Sequence, residues 1–252
     1  MTIRLATLFT ALVFFSGGAF AQAATVAVAA NMKDAFAEIL MASQSSGKPE
    51  MKVVYGSSGN FATQIMNGAP FSLFIAADEK FPLELFNKGR TIDEGTVYAI
   101  GKLAIITKKS SGIASLDSKS DIAKAITGAN KVAIAKPDLA PYGKAAVQYL
   151  KAEGLWDIAK DKLVYADNIG AATTYVVSGA ADIGFTALSL AKSPEVAKQT
   201  SFLVADAKLY EPIKQRMVLM KGAPPQAVDL YRFMQSPQAK LILQKYGYTT
   251  PY

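Results

Sequence analysis

The chain has 252 residues, 51% of them hydrophobic and 19% charged, and a formal net charge of +7. This length and composition suit one large domain or two small lobes around a sizeable core, and they exclude disorder. There is no cysteine and no histidine, which excludes disulfide scaffolds, cysteine nucleophiles, Ser–His triads and the usual zinc sites.

Residues 1–21 read as a secretory signal peptide. Arg4 gives a basic start, Leu5 to Phe15 is an apolar run short of a comfortable membrane span, and Ala19-Phe20-Ala21 fits the small-x-small cleavage pattern. Cleavage is expected after Ala21, with Ala23 the alternative. With no cysteine to carry a lipid, the mature protein is expected to be free in the periplasm. The basic charge that remains steers anions. Its lysines are dispersed, with no run of like charge and no aromatic-basic stripe, so nucleic acid is not an expected partner.

Strand and helix patterns then alternate. Thr25 to Ala30 ("TVAVAA") predicts a buried strand, and Met32, Phe36, Ile39 and Leu40 follow helical spacing, with Asn31 between them as a cap candidate. Met51 to Tyr55 predicts a strand. Phe61, Ile65 and Met66 mark a helix stopped by Gly68 and Pro70. Leu73 to Ala77 is again a strand and Phe81 to Asn87 a helix. This βαβα order predicts a mostly parallel sheet with helices on both faces.

A long strand, "YAIGKLAIITKK", follows, and the alternation restarts. Lys131 to Pro137 is a strand and Gly143 to Glu153 a helix. "KLVYAD" is a strand, Ala171 to Ser178 a helix, and "DIGFTAL" a strand. A second long extended piece, "LYEPIKQRMVLM", leads to a helical pattern from Gln226 to Lys245 interrupted at Pro237. The expected organisation is two α/β lobes, 22–101 with 213–252 and 102–212. Two extended crossings near Tyr98–Leu103 and Tyr210–Gln215 join them. Ligands of open α/β sheets bind beyond the carboxyl ends of strands, which here means the cleft between the lobes.

Four strand ends lead straight into helix starts: Ala29–Asn31, Gly56–Gly59 ("GSSG"), Ala140–Gly143 ("APYG") and Asp167–Gly170 ("DNIG"). Each carries small or neutral polar residues. A helix start offers free N–H groups and the positive end of a dipole, which suits an anion. Glycines admit close backbone approach, and Ser, Asn and Tyr add neutral donors. Each residue also has a plainer reading: Ser58 as a helix cap, Asn31 as an N-cap, Tyr142 as an amphipathic tyrosine at the surface. "GSSG" is neither a nucleophile elbow nor a P-loop. Asp78, Glu79 and Asp167 lie at strand ends, where they fit loop and helix-start roles better than contact with an anion. Without His, Cys or a convincing carboxylate pair, the chain is not expected to be an enzyme.

The stretches "GSSGNFATQIMNGAPFSLFIAADEK", "YAIGKL", "APYGKAA", "SGAADIGFTAL", "LYEPIKQ" and "FMQSPQAKLILQKYGY" together resemble the periplasmic molybdate-binding proteins of ABC importers, over essentially the whole mature chain. The resemblance implies a type II periplasmic-binding-protein fold, two α/β lobes joined by two crossings. It implies capture of molybdate, with tungstate, for delivery to an inner-membrane permease, by a monomer with no cofactor. A same-fold protein for sulfate or phosphate is the alternative. The commoner site of the family has Ser and Tyr where this chain has Asn31 and Ala187. The chain is similar to the less common pattern, which implies Asn31, Ser58, Tyr142 and Ile169 as ligand contacts, Ile169 through its backbone N–H. Ser57 and Ala30 are further candidates, Ala30 standing where that pattern has Thr. The metal would be touched only through its oxygens. Molybdate and tungstate are fully deprotonated at neutral pH, so a site of donors alone suits them, whereas phosphate keeps a proton and wants an acceptor.

Overall fold

The computed structural model describes residues 24–43, 51–113 and 116–251; the expected signal peptide lies outside them. In chain order the first elements are β1 (Thr25–Ala29), α1 (Lys33–Ser43), β2 (Lys52–Gly56), α2 (Ser58–Met66), β3 (Leu73–Ile75), α3 (Lys80–Asn87) and β4 (Thr96–Gly101). Next come β5 (Leu103–Lys108), α4 (Lys119–Gly128), β6 (Val132–Ala135), α5 (Pro141–Ala152), α6 (Trp156–Ala159), β7 (Leu163–Ala166) and α7 (Ile169–Ser178). The chain continues through β8 (Ile183–Ala187), α8 (Leu188–Ala191), α9 (Pro194–Gln199) and β9 (Thr200–Val204). It ends with β10 (Ile213–Leu219), α10 (Pro225–Phe233) and α11 (Pro237–Lys245).

These strands form two five-stranded sheets, ordered β2-β1-β3-β10-β4 and β7-β6-β8-β5-β9. The inner strands β1, β3, β5, β6 and β8 are buried on both faces and are almost wholly apolar. In the first sheet Val26 and Val28 pack on one side with Phe36, Ile39, Leu230 and Leu243. Ala27, between them in sequence, faces Phe61, Phe74 and Leu85 on the other side, as the two-residue period of a strand requires. The second sheet sets Ile105, Ile134 and Phe185 against Tyr149 and Leu150, and Ala104 and Ile106 against Val176 and Leu188.

The sheets are mixed rather than mostly parallel. β10 runs antiparallel to β3 and β4, and β5 antiparallel to β8 and β9. In each sheet the reversed strand is the one by which the chain arrives from the other sheet. "YAIGKLAIITKK" is therefore not one strand. It breaks at Lys102 into β4 of the first sheet and β5 of the second. The second extended piece is a strand only from Ile213. Before it lie a short 3-10 turn, Ala207–Leu209, and Pro212, which has no N–H for a ladder. β10 also slips register between Gln215 and Arg216, leaving Tyr98 of β4 without an opposite partner.

Candidate functional site

The four helix starts singled out in the sequence converge. Asn31, Ser57, Ser58, Tyr142, Ile169 and Ala30 all line one small cavity of about 10 Å³ between the two sheets. A 3-10 turn, Ala30–Met32, follows β1. α2 starts at Ser58, α5 at Pro141 and α7 at Ile169, so four sets of first-turn N–H groups surround one point. No residue lining this cavity carries a charge. Among the described residues no cluster of acidic groups suits a metal ion.

The plainer readings fare differently. Ser57, not Ser58, caps α2, accepting from the backbone N–H of Asn60 at 3.4 Å. Ser58 is the first helical residue and is 1% exposed; its hydroxyl oxygen accepts from the N–H of Ala77 at 2.9 Å. Asn31 is inside the 3-10 turn rather than at its cap, which is Ala29. Tyr142 is not at the surface: it is 1% exposed, in the first turn of α5. Asn168 caps α7 by accepting from Ala171 N–H at 3.0 Å, placing Ile169 as the first helical residue. Ala187 is fully buried at the end of β8 and does not line the cavity.

The carboxylates stay outside. Asp78 accepts from the N–H of Phe81, Glu79 is paired with Arg216 at 2.7 Å, and Asp167 with Lys136 at 2.6 Å. Two wider grooves open beside the cavity between the lobes, about 500 and 450 Å³, and these carry the charged side chains.

Behind the cavity lies a buried polar cluster that sequence reading missed. The Asn31 amide donates to Gln215 Oε1 at 2.9 Å and to the Tyr248 hydroxyl at 2.8 Å. Gln215 Nε2 donates to the Tyr142 hydroxyl at 2.9 Å, and the Tyr98 hydroxyl shares its one proton between Gln215 Oε1 at 2.8 Å and Ala76 O at 2.9 Å. Ser189 donates to Asn31 O at 2.8 Å and accepts from Tyr248 at 2.9 Å. Burial pushes the Tyr98, Tyr142 and Tyr248 hydroxyls far above the usual tyrosine range, so all three keep their protons at any physiological pH. Gly101 makes room for the cluster: a Cβ there would overlap both Tyr142 Oη and Gln215 Nε2. Gln, Tyr and Gly on two extended crossings give no local pattern. A polar Gln inside the otherwise apolar alternation of β10 is the one signal that pointed here.

The site is thus a small, uncharged pocket walled by hydroxyls and helix starts, contributed by both sheets. Free N–H groups at helix starts suit an anion whose atoms only accept. Residues 24–249 match the family described as bacterial extracellular solute-binding protein. The chain is 37% identical over 235 residues to the molybdate-binding protein ModA of Azotobacter vinelandii, covering 90% of this chain and 91% of that one. It is 36% identical over 247 residues to the ModA protein of Rhodobacter capsulatus, covering 96% and 95%. This chain belongs to the ModA family. Its fold is matched by the structure of the Azotobacter vinelandii periplasmic molybdate-binding protein, with a TM-score of 0.82 and 32% identity over 91% of this chain and 100% of that one. The sulfate-binding protein SubI of Mycobacterium tuberculosis shares the fold alone, at 14% identity and a TM-score of 0.72. No helix among the described residues is long and apolar enough to cross a membrane.

Proposed function

We propose that this protein captures molybdate, and tungstate with it, in the periplasm and hands the ion as a monomer to the permease of an ABC transporter, without catalysing a reaction. The observation that carries the reading is the cavity walled by Asn31, Ser58, Tyr142 and Ile169 with no charged side chain. The hydroxyls of Ser58 and Tyr142 and the N–H groups of the helix starts match a tetrahedral dianion whose four oxygens all accept, with Asn31 contributing through its backbone because its side-chain N–H groups are taken by Gln215 and Tyr248. The molybdate-binding relatives from Azotobacter vinelandii and Rhodobacter capsulatus agree with that chemistry. Hydrogen bonds to a charged group are worth roughly 1.5–3 kcal/mol each. About seven would give a gross 10–20 kcal/mol, and nanomolar binding needs about 12. The remainder goes to closing the lobes and stripping water from the ion.

Sulfate and phosphate are the competing ligands. Phosphate near neutrality keeps a proton and needs an acceptor in the pocket. The carboxylates at the neighbouring strand ends are engaged elsewhere, Asp78 with the Phe81 N–H, Asp167 with Lys136 and Glu79 with Arg216. Sulfate has shorter bonds and falls short of donors set for a larger ion. Thermal shift of ligand-stripped protein with each oxyanion tests this. A ligand at a thousandfold excess over its Kd stabilises by about 4 kcal/mol. Molybdate and tungstate should shift the melting temperature strongly and sulfate weakly; equal shifts with sulfate and molybdate would refute the selectivity.

A further inference from the structure

We propose that Gln215 is the positioning residue of the oxyanion pocket: its amide turns the hydroxyl proton of Tyr142 into the cavity and holds the amide of Asn31 beside it. This rests on the oxyanion-binding reading above. Gln215 does not line the cavity, yet it touches two residues that do. It is fully buried, on β10 at the register slip beside Tyr98.

A tyrosine hydroxyl has one proton and accepts through its oxygen. Gln215 Nε2 donates to that oxygen at 2.9 Å. The proton of Tyr142 is therefore not spent on Gln215; an ion in the pocket would take it in place of the Tyr248 hydroxyl, with which Tyr142 is also in hydrogen-bond contact. An apolar residue at 215 would impose no such direction. A carboxylate there would reverse it, because it only accepts and would take the Tyr142 proton for itself.

The other end of the Gln215 amide works on Asn31. Gln215 Oε1 accepts from Asn31 Nδ2 at 2.9 Å while the Tyr248 hydroxyl accepts the second N–H. Asn31 Oδ1 is left buried with no partner. An unpaired buried acceptor is costly, so the amide is held by what its N–H groups reach. Tyr98 fixes Gln215 in turn, donating to the same Oε1 at 2.8 Å. One glutamine thus joins a donor of the second lobe, Tyr142, to the first-lobe residues Asn31 and Tyr98.

The test is a double-mutant cycle on the mature, ligand-stripped protein. Molybdate binding is measured by calorimetry in wild type, Gln215→Met, Tyr142→Phe and the double variant. Melting temperatures of the unliganded proteins run alongside. Gln215→Met should weaken binding about tenfold or more in the wild-type background and much less once Tyr142 is Phe, because the proton it directs is already gone. Gln215→Glu keeps the shape and should weaken binding at least as much, so it carries the test if the methionine variant fails to fold. An equal loss in both backgrounds, or no loss in wild type, overturns the positioning role. A wild-type protein that binds no molybdate overturns the functional reading itself, and with it this inference.

Discussion

The hydroxyl oxygen of Ser58 accepts a hydrogen bond from the backbone N–H of Ala77 at 2.9 Å, across from α2 to the end of β3. Its own proton is not used in that bond and is left for an acceptor. The neighbouring Ser57 does the opposite, using its oxygen to cap the same helix. Two adjacent serines in one "GSSG" turn have separate tasks, and substitution separates them. Ser58→Ala should weaken molybdate binding by roughly 1.5–3 kcal/mol, ten- to hundredfold, because it deletes a bond to a charged oxygen in a dry site. Ser57→Ala should leave affinity nearly unchanged and lower stability by about 0.5–1 kcal/mol. Calorimetry and thermal denaturation of the two variants check both; a larger affinity loss for Ser57→Ala would reverse the assignment.

Gly101 should tolerate no side chain. Gly101→Ala places a methyl group against Tyr142 Oη and Gln215 Nε2, both held by further contacts. We expect a loss of about 1–3 kcal/mol in stability and a drop in affinity as Tyr142 is displaced. Gly128→Ala, where a Cβ meets nothing within 4 Å at the end of α4, is the control and should be neutral or slightly stabilising. Equal melting temperatures for the two variants would show that the close approach does not matter.

Stability should depend on pH through Asp78. Burial raises its pKa from 3.8 to about 6, against the pull of the Phe81 N–H, Lys80 and Lys144. The folded state therefore favours the protonated carboxyl. That contribution is complete below about pH 4 and is lost as pH climbs to about 6, after which it stays lost. The side chain is part-exposed, so the effect should be about 1–2 kcal/mol rather than the full value of the shift. Asp78→Asn keeps an acceptor for Phe81 and should flatten this slope between pH 4 and pH 6 in melting curves. An unchanged slope would assign it to other groups.

The lobes should separate when the ion leaves. Among the described residues four hydrogen bonds cross the cleft: Gly59 N–H to Leu139 O at 2.9 Å, Ser189 to Asn31 O at 2.8 Å, Tyr248 to Ser189 at 2.9 Å, and Gln215 to Tyr142 at 2.9 Å. Each is single and polar, so none compares with the enthalpy of a bound dianion. Rotation about the crossings at Lys102 and before Ile213 should open the molecule. Small-angle scattering with and without molybdate checks this, and identical profiles would mean the closed form stands without ligand.

The pocket lining was legible because it is local. A helix start is announced by the residues next to it, so "GSSG", "APYG" and "DNIG" marked the loops, and the family resemblance picked Ser58, Tyr142 and Ile169 out of them. The direction of β5 and β10 was not legible, since an apolar strand reads the same in either orientation. Lys102 carries no turn signal, so the crossing expected near Tyr98–Leu103 read as one long strand rather than as the end of β4 and the start of β5. The supporting cluster was the least legible part. Tyr98, Ser189, Gln215 and Tyr248 matter only through partners that folding brings from far away.

That last property has a consequence for when the protein becomes competent. The bonds around the pocket join residues 184 and 217 positions apart, Asn31 with Gln215 and Asn31 with Tyr248, and 73 apart, Tyr142 with Gln215. Contacts of such separation form late, after local helices and neighbouring strands. A chain still emerging, or with only one lobe formed, holds a few helix starts but no closed ring of donors. The ion therefore has nothing to gain from a half-made molecule, and all of its binding energy falls on the finished one. Stabilisation by the ion is thus available only to a chain in which both lobes are formed and joined.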